Sequence, residues 1–251
     1  MIQIMAGDRA ARFLARLDQC EASMTDTQQT VPIRYFSDVL CIWAYIAQLR
    51  VNAVKEKFGD KVRFEKRFVS VFGATGRKIT TVWRDKGEYA GFNAHLREVG
   101  ERFPEVKVHP DIWLTARPAS SNAPHLFLKA AQLAEADGEI VSGGFEAAVW
   151  AFRRGFFEQA RDIARWDVQV DLARAAGLDP APVEARLRDG RAHAALACDY
   201  QDADALGLQG SPSFVLNEGR QKLYGNVGYR VIEANIEELL RAPSADQASW
   251  C

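Results

Sequence analysis

Residues 31 to 68 read as strand, helix, strand, and that order sets what the rest of the chain has to complete. From position 31, VPIRYF has the aromatic and β-branched content of a strand, and the polar pair Ser37-Asp38 then precedes a helical pattern. Trp43, Ala47, Val51, Val54 and Phe58 recur at helical spacing, which puts them on one face, and Gly59-Asp60 ends the helix. KVRFEKRF follows, with Val62, Phe64 and Phe68 on one side and Arg63, Glu65 and Arg67 on the other, the period of two expected of a strand.

The middle, from about 75 to 205, reads mostly as helix. One helix covers residues 125 to 136, and Phe145, Val149, Phe152 and Phe156 mark the buried face of another. Gly143-Gly144 and the stretch 177 to 182 punctuate these helices. Near the C-terminus SFVL and QKLYG flank Asn217-Glu218-Gly219-Arg220, a hairpin signal with a glycine available for positive φ. Tyr229, Ile232, Ile236, Leu239 and Leu240 outline a last amphipathic helix. The order β-α-β, helical block, β-β-α is an α/β arrangement matching a thioredoxin-like fold with a large helical insertion. On this reading residues 1–30 are an N-terminal extension, 31–75 and 205–241 the thioredoxin-like domain, 76–204 the helical insertion, and 242–251 a tail expected to be disordered.

Composition narrows the function. The 251 residues are 48% hydrophobic and 26% charged, a globular balance, and lack the run of roughly 20 apolar residues that spans a bilayer. A net charge of -1 offers no whole-molecule attraction to nucleic acid. Charge interrupts every apolar stretch of MIQIMAGDRAARFLARLDQ, so the secretory signal pattern is missing and a cytoplasmic location is the expectation. Cys20, Cys41, Cys198 and Cys251 are too scattered for a disulfide framework or a zinc site, and no metal is expected.

Cys41 falls where the first strand has turned into the first helix, so free backbone N–H groups and the positive helix end favour its thiolate. A thiolate there attacks a disulfide, an electrophilic carbon or a peroxide; the alternative is a small buried hydrophobe at a helix start. Gly210-Ser211-Pro212-Ser213 directly precedes the hairpin, where a proline is either cis, holding the preceding backbone open to a ligand, or an ordinary trans residue at a strand entry.

Together these segments carry a resemblance. FSDVLCIWAY resembles the active-site segment of the DsbA-like thioredoxin superfamily, specifically its FrnE-like branch, where an Asp precedes a C-P-W-C motif by three residues. SSNAPHLFLKAAQLAEADG, FEAAVWAFRRGFFEQARDIARWDVQVDLARAAGLD and ALGLQGSPSFVLNEGRQKLYG follow that branch's order, over roughly residues 31 to 240. The resemblance implies a nucleophilic Cys41, a cis Pro212 opposite it, and Asp38 and Trp43 lining the same pocket. Asn122 and His125 match the branch's N-x-x-A-H-like segment, with Ala123-Pro124 changing its spacing; a lone histidine at a helix start with no visible acid–base partner reads as a structural hydrogen-bonding residue.

The departure is C-I-W-A: Ile42 replaces the motif proline and Ala44 stands where a second thiol would be. Without that thiol, a mixed disulfide on Cys41 waits for an external one such as glutathione. The leading expectation is therefore a DsbA-family oxidoreductase with a single active thiol, monothiol or glutathione-linked, acting on a small thiol or protein disulfide. No tightly bound cofactor is implied; glutathione is a candidate cosubstrate, and a homodimer is compatible with this reading. The alternatives are a non-catalytic binding protein of the same fold, and a glutathione-dependent isomerase or transferase like the related hydroxychromene-carboxylate isomerases and kappa-class transferases. Those relatives place an acidic or Ser-Asp pair after the last strand, where this chain has Asn226, which hydrogen-bonds but does not neutralise an ammonium. The remaining cysteines read as inert, and deletion of residues 1 to 23 is expected to leave the melting temperature nearly unchanged.

Overall fold

The computed structural model describes residues 30–241. Expectations about the N-terminal extension, Cys20, the tail and Cys251 lie outside them.

The opening folds as read. Strand β1 (Val31–Ser37) runs into helix α1 (Ile42–Phe58), and strand β2 (Val62–Phe68) returns parallel to β1 with Val31 opposite Val62 and Ser37 opposite Phe68. Cys41, with extended φ/ψ, caps α1; Lys55 and Lys57 suit the negative end of its last turn, and Gly59, at φ 52°, donates its N–H back to the Lys55 carbonyl. After the helical block, β3 (Ser213–Leu216) and β4 (Gln221–Tyr224) form the expected hairpin, turned through Asn217, Glu218 and Gly219, all at positive φ. Because β3 also pairs antiparallel with β1, the sheet order is β2-β1-β3-β4.

Alternation along β1 divides the core. Ile33 and Tyr35 point to the side where Ala47, Val51 and Val54 of α1 and Ile232 and Ile236 of the last helix, α9 (Tyr229–Leu240), are buried. Phe36 points to the other side, with Val69, Ala203, Leu208 and Val215. One sequence assignment needs correction here. Trp43 is not on the sheet-facing stripe of α1; it is half-buried and packs edge-on against Phe103 at 6.1 Å, because the helical block covers α1's far side as well. On β2, Lys66 shares the inward side with Phe64 and Phe68. Burial pushes its ammonium down to about 8, and Glu146 lies 3.3 Å away as its counter-charge.

The block itself comprises α2 (Thr75–Val82), α3 (Glu88–Arg102), α4 (Asn122–Ala136), α5 (Gly144–Phe157), α6 (Trp166–Ala175), α7 (Ala181–Arg188) and α8 (Arg191–Ala205). Between α3 and α4 the chain is irregular over 103–121, so the middle is less continuously helical than its apolar spacing suggests. Phe145, Val149, Phe152 and Phe156 are all buried as read. Glu135 of α4 accepts the N–H groups of Gly143 and Phe145, capping the α5 start that those residues' own side chains leave bare. Polar anchors tie the block to the sheet near its site end. Buried Arg153 donates to Gln48 and to Ser37 Oγ, both at 3.0 Å. Asp199 of α8 accepts the Phe68 N–H at 3.0 Å and pairs with Arg67 at 3.1 Å and Lys129 at 2.6 Å. Among the described residues no helix is long and apolar enough to cross a membrane.

Candidate active site

The site forms where β1 hands over to α1. The turn Asp38-Val39-Leu40-Cys41 is closed by the Cys41 N–H donating to the Asp38 carbonyl at 3.1 Å, and the Cys41 carbonyl accepts the N–H groups of Ala44 and Tyr45. The sulfur is left at the start of the helix, where it donates to the Ser211 carbonyl oxygen at 3.1 Å. The Ser211–Pro212 peptide is cis, as the family resemblance implied, so Cys41, Ser211 and Pro212 meet.

The expected depression of the Cys41 thiol pKa is not what the environment produces. Burial pushes the thiol up, and the charge of Asp38 adds to this; the Ser211 hydroxyl and the Ala44 and Trp43 N–H groups pull the other way without prevailing. The helix start does act as read, but Cys41 is only 6% exposed, and desolvation of the anion outweighs it. Trp43 contributes here through its backbone N–H, and its ring packs edge-on against Phe103. Ala44 is fully enclosed, in the place of the missing second thiol.

Asp38 is fully buried, with three donors on its carboxylate: Oδ1 accepts the Leu40 N–H at 2.9 Å, and Oδ2 accepts the Phe72 N–H at 2.7 Å and the Ser121 hydroxyl at 2.8 Å. Its own N–H donates to Ser211 Oγ at 2.8 Å, binding the turn to the proline loop. His125 is enclosed beside it. The ring stacks on Phe68 at 4.5 Å, Nε2 accepts the Val39 N–H at 3.0 Å, and Nδ1 lies 3.0 Å from the Tyr200 hydroxyl. Burial pushes this imidazole down to about 4 in spite of the Asp38 charge, so it is neutral at pH 7. The altered Ala123-Pro124 spacing thus leaves His125 well directed, and the acidic partner that the sequence reading did not pair with it is Asp38, 3.6 Å from Nε2.

Asn122 is exposed and joins through Tyr200, whose hydroxyl donates to its Oδ1 at 3.0 Å. Asn226 is exposed next to Gly225, whose N–H donates to the Pro212 carbonyl at 2.8 Å. Three contributors escaped sequence reading: Ser121, Tyr200 and the Phe72 N–H. Ser121 had a usable signal, a serine immediately before a helical run. Tyr200 had none, lying 75 residues from His125 on another helix. Cys198 is exposed on α8, and among the described residues no group of three or more His, Cys, Asp or Glu side chains is arranged to hold a metal.

A family model, the DSBA-like thioredoxin domain, matches residues 32–237. The chain belongs to that family. It is 27% identical over 226 residues to the ClpXP adapter protein SpxH of Halalkalibacterium halodurans, covering 85% of this chain and 69% of that one. Among solved structures it resembles the cytosolic disulfide reductase DsbM of Pseudomonas aeruginosa, known also with GSH (TM-score 0.59, 21% identity, 84% of this chain and 99% of that one). It also resembles a 2-hydroxychromene-2-carboxylate isomerase (TM-score 0.55, 15% identity, 87% and 100%). At these identities the two structural likenesses concern the fold. The α/β thioredoxin-like fold and the DsbA-like thiol-disulfide family are therefore the firm ground for function.

Proposed function

We propose that this DsbA-like protein works as a monothiol oxidoreductase in which Cys41 forms a mixed disulfide that glutathione resolves. The observation that carries the reading is the pairing of a helix-capping Cys41, 3.1 Å from the Ser211 carbonyl, with an enclosed Ala44 in place of a second thiol. The Cys41 thiolate attacks a disulfide R–S–S–R′, forming Cys41–S–S–R and expelling R′–S⁻, which takes up a proton. Glutathione thiolate then attacks the sulfur of R, forming R–S–SG and returning the Cys41 thiolate. One disulfide is exchanged for another and no net electrons are required. The Ser211 backbone beside the sulfur offers an edge for an extended glutathione or peptide backbone, and Asn226 and Asn122 are exposed polar groups for its ends. We place this chemistry in the cytoplasm, where a glutathione pool supplies the resolving thiol.

Incubation with oxidised glutathione should add one glutathionyl group at Cys41, seen by intact mass and peptide mapping, and reduced glutathione should remove it. Ala44→Cys should gain insulin reductase activity over wild type. If the protein takes up no glutathionyl group, the binding-protein reading replaces this one. That second reading has an observation of its own: the thiol is nearly enclosed and burial holds its pKa high.

A further inference from the structure

His125 has no role in the exchange chemistry, yet it is one of the few fully buried titratable groups that touch the Cys41 turn. Its ring nitrogens face different partners. Nε2 has the Val39 N–H at 3.0 Å, a donor, and Asp38 Oδ1 at 3.6 Å, an acceptor. Nδ1 has the Tyr200 hydroxyl at 3.0 Å, which can either donate or accept. The other charged groups acting on the ring are Arg153 from α5, Asp199 from α8 and Lys129 from α4.

The direction of each hydrogen bond follows from the outer end inward. Asn122 Oδ1 accepts, so the Tyr200 hydroxyl spends its proton there, at 3.0 Å; Ser70 donates to the same oxygen at 3.1 Å. Tyr200 then presents only a lone pair to His125, which requires the imidazole proton on Nδ1 and leaves Nε2 free to accept from Val39. With the proton on Nε2 instead, two N–H donors would face each other at 3.0 Å, the buried Val39 amide would lose its partner, and the Nε2 proton would turn to Asp38. We propose that Tyr200 is the positioning residue that sets the His125 tautomer and, through the Val39 N–H, holds the Asp38–Cys41 turn so that the Cys41 thiol is seated against Ser211. This rests on Cys41 being the working thiol of the reading above.

Tyr200→Phe keeps the ring and removes the acceptor. In wild type, ¹⁵N shifts of the His125 ring should report the Nδ1–H tautomer; in Tyr200→Phe the Nε2–H form should grow. Alkylation of Cys41 by iodoacetamide at pH 7 should quicken by roughly three- to tenfold as the turn loosens, the scale of one lost buried hydrogen bond. His125→Gln supplies an amide oxygen for Val39 without needing Tyr200, so adding Tyr200→Phe to it should change the rate by less than about twofold. Asn122→Ala, at an exposed position, should shift tautomer and rate in the same direction as Tyr200→Phe, and decides the matter if that variant folds poorly. An unchanged tautomer, an unchanged or slower alkylation, or an equal effect of Tyr200→Phe in both backgrounds overturns the proposal. Alkylation uses neither disulfide nor glutathione, so a protein that fails the glutathionylation test can still pass this one.

Discussion

At Cys41 two effects of position compete, and their magnitudes decide which wins. A helix start stabilises an anion by a fraction of a kcal/mol to about 2 kcal/mol, whereas full burial of a thiol can shift its pKa by several units the other way. Burial prevails here, with Asp38 adding to it. Cys41 should therefore alkylate more slowly at pH 7 than a free peptide thiol, with a rate midpoint above about 8.5 when followed against pH. A midpoint below that value would mean the resting turn opens more than this structure indicates. A thiolate formed at a higher pKa is scarcer but intrinsically more nucleophilic. The position of Cys41 at the helix start was legible in the sequence; its enclosure was not, because that depends on Ser211, 170 residues away.

At the scale of elements, the site depends on α4, α5 and α8 being held against the β1–β2 end of the sheet. Asp199 is the clearest of these ties, since it neutralises Lys129, almost fully buried on α4, and accepts the Phe68 N–H of β2. Asp199→Asn keeps an acceptor for Phe68 but leaves the Lys129 cation without its counter-charge. It should cost about 3 kcal/mol in urea unfolding, the loss expected when one partner of a buried pair is removed. A loss below about 1 kcal/mol would mean that Lys129 finds water or another partner. No periodicity argument could locate this tie, because Lys129 and Asp199 each read as polar positions on amphipathic helices and only docking of α4 against α8 makes them a buried pair.

For the whole molecule, His125 links the site to acid stability. Its imidazole titrates near 6.5 when unfolded and at about 4 when folded, so the unfolded chain binds the proton more readily. Stability from this group is complete above pH 6.5 and is lost as pH falls from 6.5 towards 4, by at most about 3 kcal/mol. Carboxylates also titrate there, so the measurement is a difference: the stability gap between wild type and His125→Gln should shrink over that window and stay constant from pH 7 to 8. A gap independent of pH would mean that His125 is not buried neutral in solution.

What the sequence determined by itself was the order of elements, which depends on neighbours within a few residues. The periods of two and 3.6, the glycines at the turns and the serine and proline before β3 were enough to order β-α-β, helical block, β-β-α, and the C-I-W-A segment placed a single thiol at the head of α1. Tertiary structure decided the electrostatics. Whether Cys41 is exposed or enclosed, whether His125 has an acid beside it, and which tautomer it holds depend on Ser211, Asp38 and Tyr200, brought together from the proline loop, the turn after β1 and α8. Hydrophobic patterning is a local record of which face is buried. Desolvation and hydrogen-bond direction are set by groups distant in the chain, and leave no period for a sequence to display.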